Sequence, residues 1–350
     1  RKAGVGIKLA SDANMLLGLN DRRTESLSDL SGGYVERQKI RDLTNKANKI
    51  YRAESRSELL RETIREAIHA LPAIRLQYAP RLSFSDKDRQ LVVAIGDIHY
   101  GANIHVEGLN GETLNRFNHE VFEVRMEKLL DEIVDIAKKQ AVDKIHVFLV
   151  GDLIDGMLRQ SQLMRLEYGL VESTMRFSEY LAQWLAELGE YVGYVYVYAA
   201  TGNHAEVRPL KSKNREFEDE NMERIILWYL EERLRSSDRV YIHRDCRKYV
   251  KVDVCGYSFL LLHGDSEKNI PDVASETIRL YKSSIDFFVC GHKHRESEYP
   301  SGMSPSGDSV IIRVPSLCGT DSYANSKGYG GSAGATAILM ERGYGRRCVY

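Results

Sequence analysis

Residues 91–99 read Leu-Val-Val-Ala-Ile-Gly-Asp-Ile-His, an apolar run that ends in a glycine and is followed by two polar side chains. Branched apolar residues in a run of this length are typical of a buried β-strand. The same pattern returns four times, where short apolar runs lead into Gly151-Asp152, Gly202-Asn203-His204, His263-Gly264-Asp265 and Gly291-His292-Lys293-His294. We therefore predict five buried strands, each with potential ligands at its carboxyl end.

Predicted helices lie between the first four of these strands. Apolar residues recur at helical spacing over residues 122–139, 177–188 and 217–234. Strand and helix in alternation predict a parallel α/β arrangement, with a hairpin over residues 249–262 and further strands near 310–314 and 335–340. Because parallel strands end at the same edge of a sheet, we expect the five polar clusters to meet in space.

The chain before residue 90 has a different character. Periodicity predicts one helix over about residues 35–52 and another that begins at Ser57 and ends before Pro72. We therefore predict a mostly helical appendage over residues 1–72, a connector over 73–90 and a catalytic domain over 91–350. Residues 1–90 hold 18 Lys and Arg against 12 Asp and Glu. This basic excess fits contact with nucleic acid or with an acidic partner, but a solvated helix face is the favoured interpretation. The predicted helices also offer a surface for a protein partner or for a second copy.

Composition excludes several classes of protein. The chain has 350 residues, of which 43% are hydrophobic and 28% are charged, as in ordinary globular proteins. Its longest nearly unbroken apolar stretch, residues 191–200, is too short to cross a bilayer. The five cysteines are odd in number and widely spaced, which indicates reduced thiols. We expect a cytoplasmic protein without a membrane segment and without a disulfide framework.

The polar clusters carry the ligands of a metal centre. A single Asp or His at a strand end is more often a cap than a ligand, but five such clusters in chain order indicate a shared site. Carboxylate, imidazole and amide oxygen are donors for divalent transition metals. Seven potential ligands are more than one ion needs, so the set suits two ions.

In this order, D-x-H, G-D, G-N-H, H and G-H-x-H resemble the signature of the calcineurin-like metallophosphoesterases. The resemblance covers roughly residues 91–343 and implies a four-layer α-β-β-α sandwich. It implies that one divalent ion is held by Asp97, His99, Asp152 and His294, and the other by Asp152, Asn203, His263 and His292. The mixed donors favour Mn²⁺, with Fe, Zn or Ni also compatible. Two such cations about 3.5–4 Å apart hold a phosphoryl group and activate water for its hydrolysis.

The resemblance also gives His204, next to the ligand Asn203, the role of a general acid that protonates the leaving oxygen. Two positions depart from the family pattern. Ala205 stands where many members have an acidic residue that supports this histidine, and Glu206 follows one position later. Gly156 stands where members often have an asparagine that contacts the substrate phosphate. Asp155 is either a partner of a ligand or a solvated turn carboxylate.

The substrate is less constrained by sequence than the reaction. Candidate substrate contacts are Tyr100, Arg159, Arg208 and Lys211, which follow the ligand motifs. Packing in the core is the alternative for Tyr100, and a charged helix start is the alternative for the basic residues. The motif D-I-H-x-G at residues 97–101 is similar to that of the DNA-repair exonuclease branch, which implies a phosphodiesterase or nuclease acting on DNA.

Other functions stay open on the sequence alone. The additional DNA-capping domain of that branch has no counterpart among the residues that follow His294, which favours a phosphatase or phosphodiesterase for a small nucleotide or a phosphoprotein. A further alternative is a non-catalytic scaffold that keeps the fold for binding. Scaffolds of this kind usually lose metal ligands, whereas every ligand position is filled here.

Overall fold

The structure is a computed structural model of the chain. It describes residues 27–74, 88–156, 166–208, 213, 215–266, 273, 275–276, 279, 281–304, 306–321, 324–325 and 330–350. By contacts the chain divides into two compact units, Arg1–Ala67 and Ile68–Tyr350. The predicted connector over 73–90 lies largely outside the described residues, and the predicted domain boundaries stay predictions.

A single helix, α1 (Leu27–Ala70), occupies the described part of the appendage. The prediction of two helices divided at Ser57 is therefore wrong. No glycine or proline lies between residues 52 and 57, and the residues there are compatible with a helix, so nothing interrupts it. The predicted stop before Pro72 is confirmed. The last turn belongs to the second unit, where Ile68 is buried and His69 pairs with Glu232 at 2.9 Å.

A six-stranded sheet forms the centre of the second unit. Its strands are β1 (Arg89–Ile95), β4 (Lys144–Leu149), β5 (Tyr194–Ala200), β6 (Val240–Arg247), β12 (Thr336–Glu341) and β13 (Gly345–Val349). They lie in the order β13-β12-β1-β4-β5-β6. Strands β1, β4, β5 and β6 run parallel to one another, which confirms the predicted winding, and β12 pairs antiparallel with β1.

A five-stranded sheet packs against the first. It contains β7 (Val250–Val254), β8 (Tyr257–Leu261), β9 (Phe287–Cys290), β10 (Ser297–Ser304) and β11 (Gly307–Arg313), in the order β10-β11-β9-β8-β7. The predicted hairpin is confirmed, since β7 and β8 pair antiparallel around Cys255-Gly256. Strands β8 and β9 run parallel, so their carboxyl ends also share one edge. A short ribbon, β2 (Ile104–Glu107) with β3 (Thr113–Phe117), was not predicted.

Helices α2 (His119–Gln140), α3 (Leu170–Tyr191) and α4 (Met222–Leu234) flank the first sheet. Their apolar faces form one core with the outward face of β1, β4 and β5. Helix α4 begins five residues later than predicted because Asn221 is its N-cap and accepts a hydrogen bond from the Glu223 amide.

Apolar side chains between the two sheets, among them Phe148 and Phe259, form a second core. The outer face of the second sheet packs on Ile285 and on Val273, a helical residue. Helical chain therefore flanks both sheets, as the predicted α-β-β-α order requires. In the described part of the chain, no helix has both the length and the apolar composition to cross a membrane.

Candidate metal centre

Five strand ends meet at one edge of the sandwich. The loops after β1 and β4 are joined by hydrogen bonds from the amide of Asp97 to the carbonyl of Gly151, at 3.1 Å, and from the amide of His99 to the carbonyl of Asp152, at 2.9 Å. In the second sheet, the amide of Gly291 donates to the carbonyl of His263 at 3.1 Å. The two sheets are connected where the His292 amide donates to Asp97 Oδ2 at 2.8 Å. The predicted ligands therefore come together from both sheets.

Asp152 lies in the middle of this group. Its Oδ2 is 2.9 Å from His263 Nε2, 3.9 Å from His204 Nε2 and 4.0 Å from His99 Nε2. On one side, Asp97 Oδ1 is 3.4 Å from His294 Nε2. Three sets of potential ligand atoms lie within 4.8 Å of one another: Asp152 with His263 and His292, His99 with Asp152 and His204, and His99 with His294 and Cys318.

The backbone of these loops is strained. Five of the seven predicted ligands have a left-handed φ, between 49° and 69°: Asp97, His99, Asp152, His292 and His294. For residues other than glycine this conformation costs about 1–3 kcal/mol each, and it persists where the surroundings require it. Close packing provides part of that requirement, because a Cβ added at Gly202 would lie 2.1 Å from the Asp152 amide nitrogen. Strain of this kind is typical of functional sites, and here it coincides with the predicted ligands.

Several buried polar atoms in the group have no hydrogen-bond partner. They include Asp97 Oδ1 and Asn203 Oδ1, while His263 Nε2 has only the Asp152 carboxylate beside it, at 2.9 Å. Buried polar atoms are nearly always paired, so each exception needs an explanation. The His263 ring is also held in one orientation, since its Nδ1 donates to the carbonyl of Val150 at 2.9 Å and directs Nε2 into the group. Unpartnered oxygen and nitrogen donors that face one another are what divalent cations require, so the residues fit the metals that the family implies.

The electrostatics of the group agree with this fit. Burial raises the pKa of Asp152 and Asp97, but the neighbouring histidines lower it by more. The net result is a pKa of about 2 for Asp97 and one well below the ordinary value for Asp152. Both carboxyl groups are therefore ionised at neutral pH. Burial lowers the pKa of His263, but Asp152 raises it to about 10. A cation that binds here must displace the His263 proton, so we expect metal affinity to rise with pH.

His204 lies beside the ligands and has a carboxylate partner. Its Nδ1 donates to Asp155 Oδ1 at 2.6 Å, and its amide donates to Asp152 Oδ1 at 2.8 Å. Burial lowers the pKa of His204, but Asp152 and Asp155 raise it above its ordinary value. Asp155 thus provides the support that Ala205 cannot. Glu206 does not replace it, because its carboxylate accepts hydrogen bonds from Arg208, Arg215 and Phe217.

Close packing explains why a glycine occupies position 156. A Cβ at this position would lie 1.7 Å from the carbonyl oxygen of His204, so only glycine allows the loop after β4 to approach the loop after β5 so closely. An asparagine would not fit in this conformation. The glycine that departs from the family pattern therefore lies where these two loops are in close contact, next to the pair formed by Asp155 and His204.

A buried glutamate that sequence reasoning missed connects two ligand loops. Glu223, on the buried face of α4, accepts from the amides of Leu153 at 2.8 Å and of Gly202 at 2.6 Å. Burial and the charge of Asp152 raise its pKa to about 7. The signal was present in the sequence, because Glu223 shares a helix face with Ile226, Leu227 and Leu230.

The candidate substrate contacts have different surroundings. Tyr100 is buried against Phe122 and Phe177, which favours the packing alternative. Arg208 donates to Glu206 at 2.8 Å and to the carbonyl of Asn203 at 3.2 Å, so it braces the loop that carries a ligand. Arg159 and Lys211 lie outside the described residues.

A basic cavity of about 360 Å³, missed by sequence reasoning, adjoins the last ligand motif. It is lined by Lys293, Arg295, Glu296, Ser297, Tyr299 and Arg313. Arg313 lies 5.6 Å from the centre of the Tyr299 ring. The signal lay in the alternation of basic residues with the ligands at residues 292–295, but Arg313 comes from another strand.

Comparison with known proteins agrees with the geometry. The model of the calcineurin-like phosphoesterase family matches residues 91–296. An uncharacterized protein of Bacillus subtilis strain 168, YonJ, derived from the SPbeta prophage, is 28% identical over 338 residues, which are 96% of this chain and 80% of the relative. Vps29 from Cryptosporidium parvum aligns at 14% identity and a TM-score of 0.34, covering 73% of this chain and 87% of its own. An archaeal phosphodiesterase aligns at 10% identity and a TM-score of 0.33, covering 71% and 92%. Because the family match spans more than half of the chain, the protein belongs to the calcineurin-like phosphoesterase family and is a hydrolase acting on phosphoester bonds.

Proposed function

We propose that the protein is a two-metal phosphodiesterase that cleaves DNA. The observation that carries the two-metal part is the group of buried carboxylate, amide and imidazole donors that meet from five strand ends, several of them without a hydrogen-bond partner. Asp97, His99, Asp152 and His294 would hold one cation, and Asp152, Asn203, His263 and His292 the other. When bound, the pair would neutralise phosphate charge and make a water nucleophilic at neutral pH. The oxygen and nitrogen donors named here are compatible with Mn²⁺ first, and with Fe, Zn or Ni.

The side chains of the protein have separate tasks in this mechanism. Asp152 is ionised and has two oxygens, which lets one carboxylate serve both cation positions. His204 holds a proton on Nδ1 toward Asp155, so Nε2 is the atom that faces the ligand group. The raised pKa of His204 favours its protonated form, which donates a proton to the leaving oxygen. Asp155 fixes the ring and stabilises its charged form.

Two features support a polyanionic substrate such as DNA. The first is the basic cavity beside the metal centre, where Lys293, Arg295 and Arg313 line one depression. The second is α1, in which Lys39, Arg41, Lys46, Lys49 and Arg52 are exposed against one acidic residue, Asp42, between residues 38 and 52. Clustered basic side chains attract a phosphate backbone and release its counterions. The D-I-H-x-G motif of residues 97–101 agrees with this substrate.

The exposed apolar residues of α1 support a further role for this helix. Leu43, Ile50 and Leu60 are each exposed by more than half. Burying them against a second copy or a protein partner would remove that surface from water. We propose self-association through α1. Light scattering should give the mass of an oligomer for the wild type and of a monomer for Leu43→Glu with Ile50→Glu.

The state of the cysteines is relevant to the cellular compartment in which the protein works. All five cysteines lie within the described residues, and none is bonded to another. Free, mostly buried thiols fit the reducing cytoplasm that we propose for this protein.

A substrate panel tests the proposed activity. With Mn²⁺ present, linear DNA, nucleotide monoesters, a phosphopeptide and an aryl phosphodiester are compared at equal concentration. We expect cleavage of DNA and of the aryl diester, and little of the monoesters or the phosphopeptide. Preference for a monoester would assign the enzyme to the phosphatases, and no hydrolysis of any substrate would favour a scaffold.

Substitutions in each of the two basic regions test their separate contributions to DNA binding. Lys46→Glu with Lys49→Glu should weaken DNA binding and reduce its dependence on salt, while leaving aryl diester hydrolysis unchanged. Arg313→Ala should raise KM for DNA more than for the aryl diester. Lys128→Glu with Lys138→Glu, on the exposed face of α2, is the matched control and should change neither.

A further inference from the structure

Cys318 lies next to the first proposed cation position. It follows β11 in a loop at residues 314–321, and its side chain is fully buried. Its sulfur and one ring nitrogen each of His99 and His294 lie within 4.8 Å of one another. The other four cysteines belong to no such ligand group among the described residues. A thiol therefore faces the same space as two of the ligands that the sequence pattern identifies.

The position of this sulfur is fixed by the loop that carries Asp97. The Leu317 amide donates to the carbonyl of Gly96 at 3.1 Å, and the Cys318 amide donates to the carbonyl of Asp97 at 3.2 Å. From the other side, Asn115 Nδ2 donates to the carbonyl of Cys318 at 2.9 Å. The cysteine loop and the first ligand loop are thus one hydrogen-bonded unit, which fixes the backbone position of Cys318 beside the ligands.

Unpartnered donors point to a ligand between these side chains. Asp97 is fully buried, and its Oδ1, which lies 3.4 Å from His294 Nε2, has no hydrogen-bond partner. The thiol itself contacts His294, the Ser316 hydroxyl at 3.1 Å and the carbonyl of Gly319 at 3.4 Å. The Ser316 hydroxyl donates to the carbonyl of Asp97 at 2.9 Å, which ties this serine to the first ligand loop as well.

We propose that Cys318 is a ligand of the cation held by Asp97, His99 and His294. This inference rests on the proposed two-metal centre and concerns which metal that position selects. Coordination displaces the thiol proton to solvent and involves no redox change. Thiolate is a soft donor, so the first position should prefer Zn²⁺, Co²⁺ or Fe²⁺ over Mn²⁺, while the second keeps the oxygen and nitrogen donors that Mn²⁺ accepts.

Cobalt absorption tests the proposal without relying on activity. Wild-type protein loaded with Co²⁺ should show visible ligand-field bands together with a near-ultraviolet thiolate-to-cobalt charge-transfer band. Cys318→Ser should keep the ligand-field bands and lose the charge-transfer band. Its preference for Zn²⁺ over Mn²⁺ in competition dialysis should fall at least about tenfold, as expected when the soft donor is lost. Cys246→Ser changes another buried thiol, on β6, and should behave as the wild type.

A measurement on the wild type alone covers the case in which Cys318→Ser does not fold. X-ray absorption of the zinc-loaded protein should contain one sulfur at about 2.3 Å from zinc. Stoichiometric metal binding with only nitrogen and oxygen neighbours, or a charge-transfer band that persists in Cys318→Ser, would overturn the role of Cys318 and leave the two-metal proposal intact. Failure of the wild type to bind Co²⁺ or Zn²⁺ at all would overturn both.

Discussion

His146 in the middle of β4 and His263 just after the end of β8 are both buried, yet their environments act on them in opposite directions. Burial lowers the pKa of His146 to about 4, and its Nε2 hydrogen bonds with Gln90 Oε1 at 2.8 Å. His263 experiences burial too, but Asp152 at 2.9 Å raises its pKa to about 10. The two histidines differ in whether a buried carboxylate lies alongside.

The backbone shows the same contrast. His146 lies in regular parallel register with Val92 and Tyr196, whereas five ligand positions at the strand ends have a left-handed φ. Burial of polar residues is thus not enough to identify a functional region. Backbone strain and adjacent carboxylates distinguish the strand ends from the sheet interior, whereas an unpartnered buried atom does not, since His146 Nδ1 has no partner either.

The largest effect is expected for Asp152→Asn. An amide has one acceptor oxygen and no charge, so it cannot serve two cation positions, and kcat/KM for the aryl diester should fall about 1,000-fold or more, which is about 4 kcal/mol. Steady-state kinetics with saturating Mn²⁺ measures the loss. Asp286→Asn makes the same chemical change at a buried aspartate that directly precedes β9, at the end of the strand opposite to the ligands, and should keep activity within a few-fold. Equal losses in the two variants would contradict a special role for the carboxyl ends of the strands.

Replacement of the proposed general acid comes next. His204→Ala should reduce the hydrolysis of DNA by about 100- to 10,000-fold. The loss should be smaller for an aryl diester whose leaving group needs no proton. Asp155→Asn should have a smaller effect in the same direction and should shift the pH profile, because it removes the charge that raises the pKa of His204.

His69→Ala, which removes another histidine paired with a carboxylate, is the control for this pair and should leave kcat unchanged. A loss for His204→Ala that is equal on both substrates would assign His204 to structure or to metal binding instead of proton transfer.

The third prediction concerns the sheet interior and pH. The pKa of His146 is lowered from 6.5 to about 4, so stability is complete above pH 6.5 and is lost as pH falls toward 4, where the unfolded chain alone takes up the proton. Between pH 7 and pH 5 this difference in pKa lowers the free energy of unfolding by about 2 kcal/mol. Urea unfolding at both pH values measures it for the wild type and for His146→Leu. The variant should lack this part of the pH dependence, and an unchanged slope would contradict the assignment.

The smallest effect is expected at Ala141, the C-cap of α2. Its φ of 53° lies in the same left-handed region as the ligands, but Ala141 has no chemical task. Ala141→Gly should therefore stabilise the fold by up to about 1 kcal/mol without changing kcat, since glycine adopts this conformation freely. A gain in the free energy of unfolding in both Ala141→Gly and His292→Gly, with metal binding lost only in the second, would show that the strained backbone accompanies the ligand side chain at the strand end.

Local pattern predicted much of this molecule. The runs that precede Asp97, Asp152, Asn203, His263 and His292 are all strands, because alternating or continuous apolar character fixes a buried strand from its own residues. Convergence of the clusters then follows from the parallel pairing of β1, β4 and β5. The continuous helix α1 was missed because a good N-cap residue such as Ser57 is also tolerated inside a helix.

Contacts between distant segments could not be derived in this way. Asp155 meets His204 across 49 positions of sequence, and Cys318 reaches the loop of Asp97 from more than 200 residues away. Neither pairing leaves a periodic signal, since each depends on how two loops pack. The partner of His204 and the thiol beside His294 therefore required the three-dimensional structure.

The donors of the proposed centre are divided between the layers of the sandwich. Asp97, His99, Asp152 and Asn203 follow strands of the six-stranded sheet, and His263, His292 and His294 follow strands of the five-stranded sheet. A bound pair of ions would therefore cross-link the two sheets at the edge where the ligands lie. Chelation should lower the melting temperature as well as stop turnover, because ligands that bind only the folded state stabilise it.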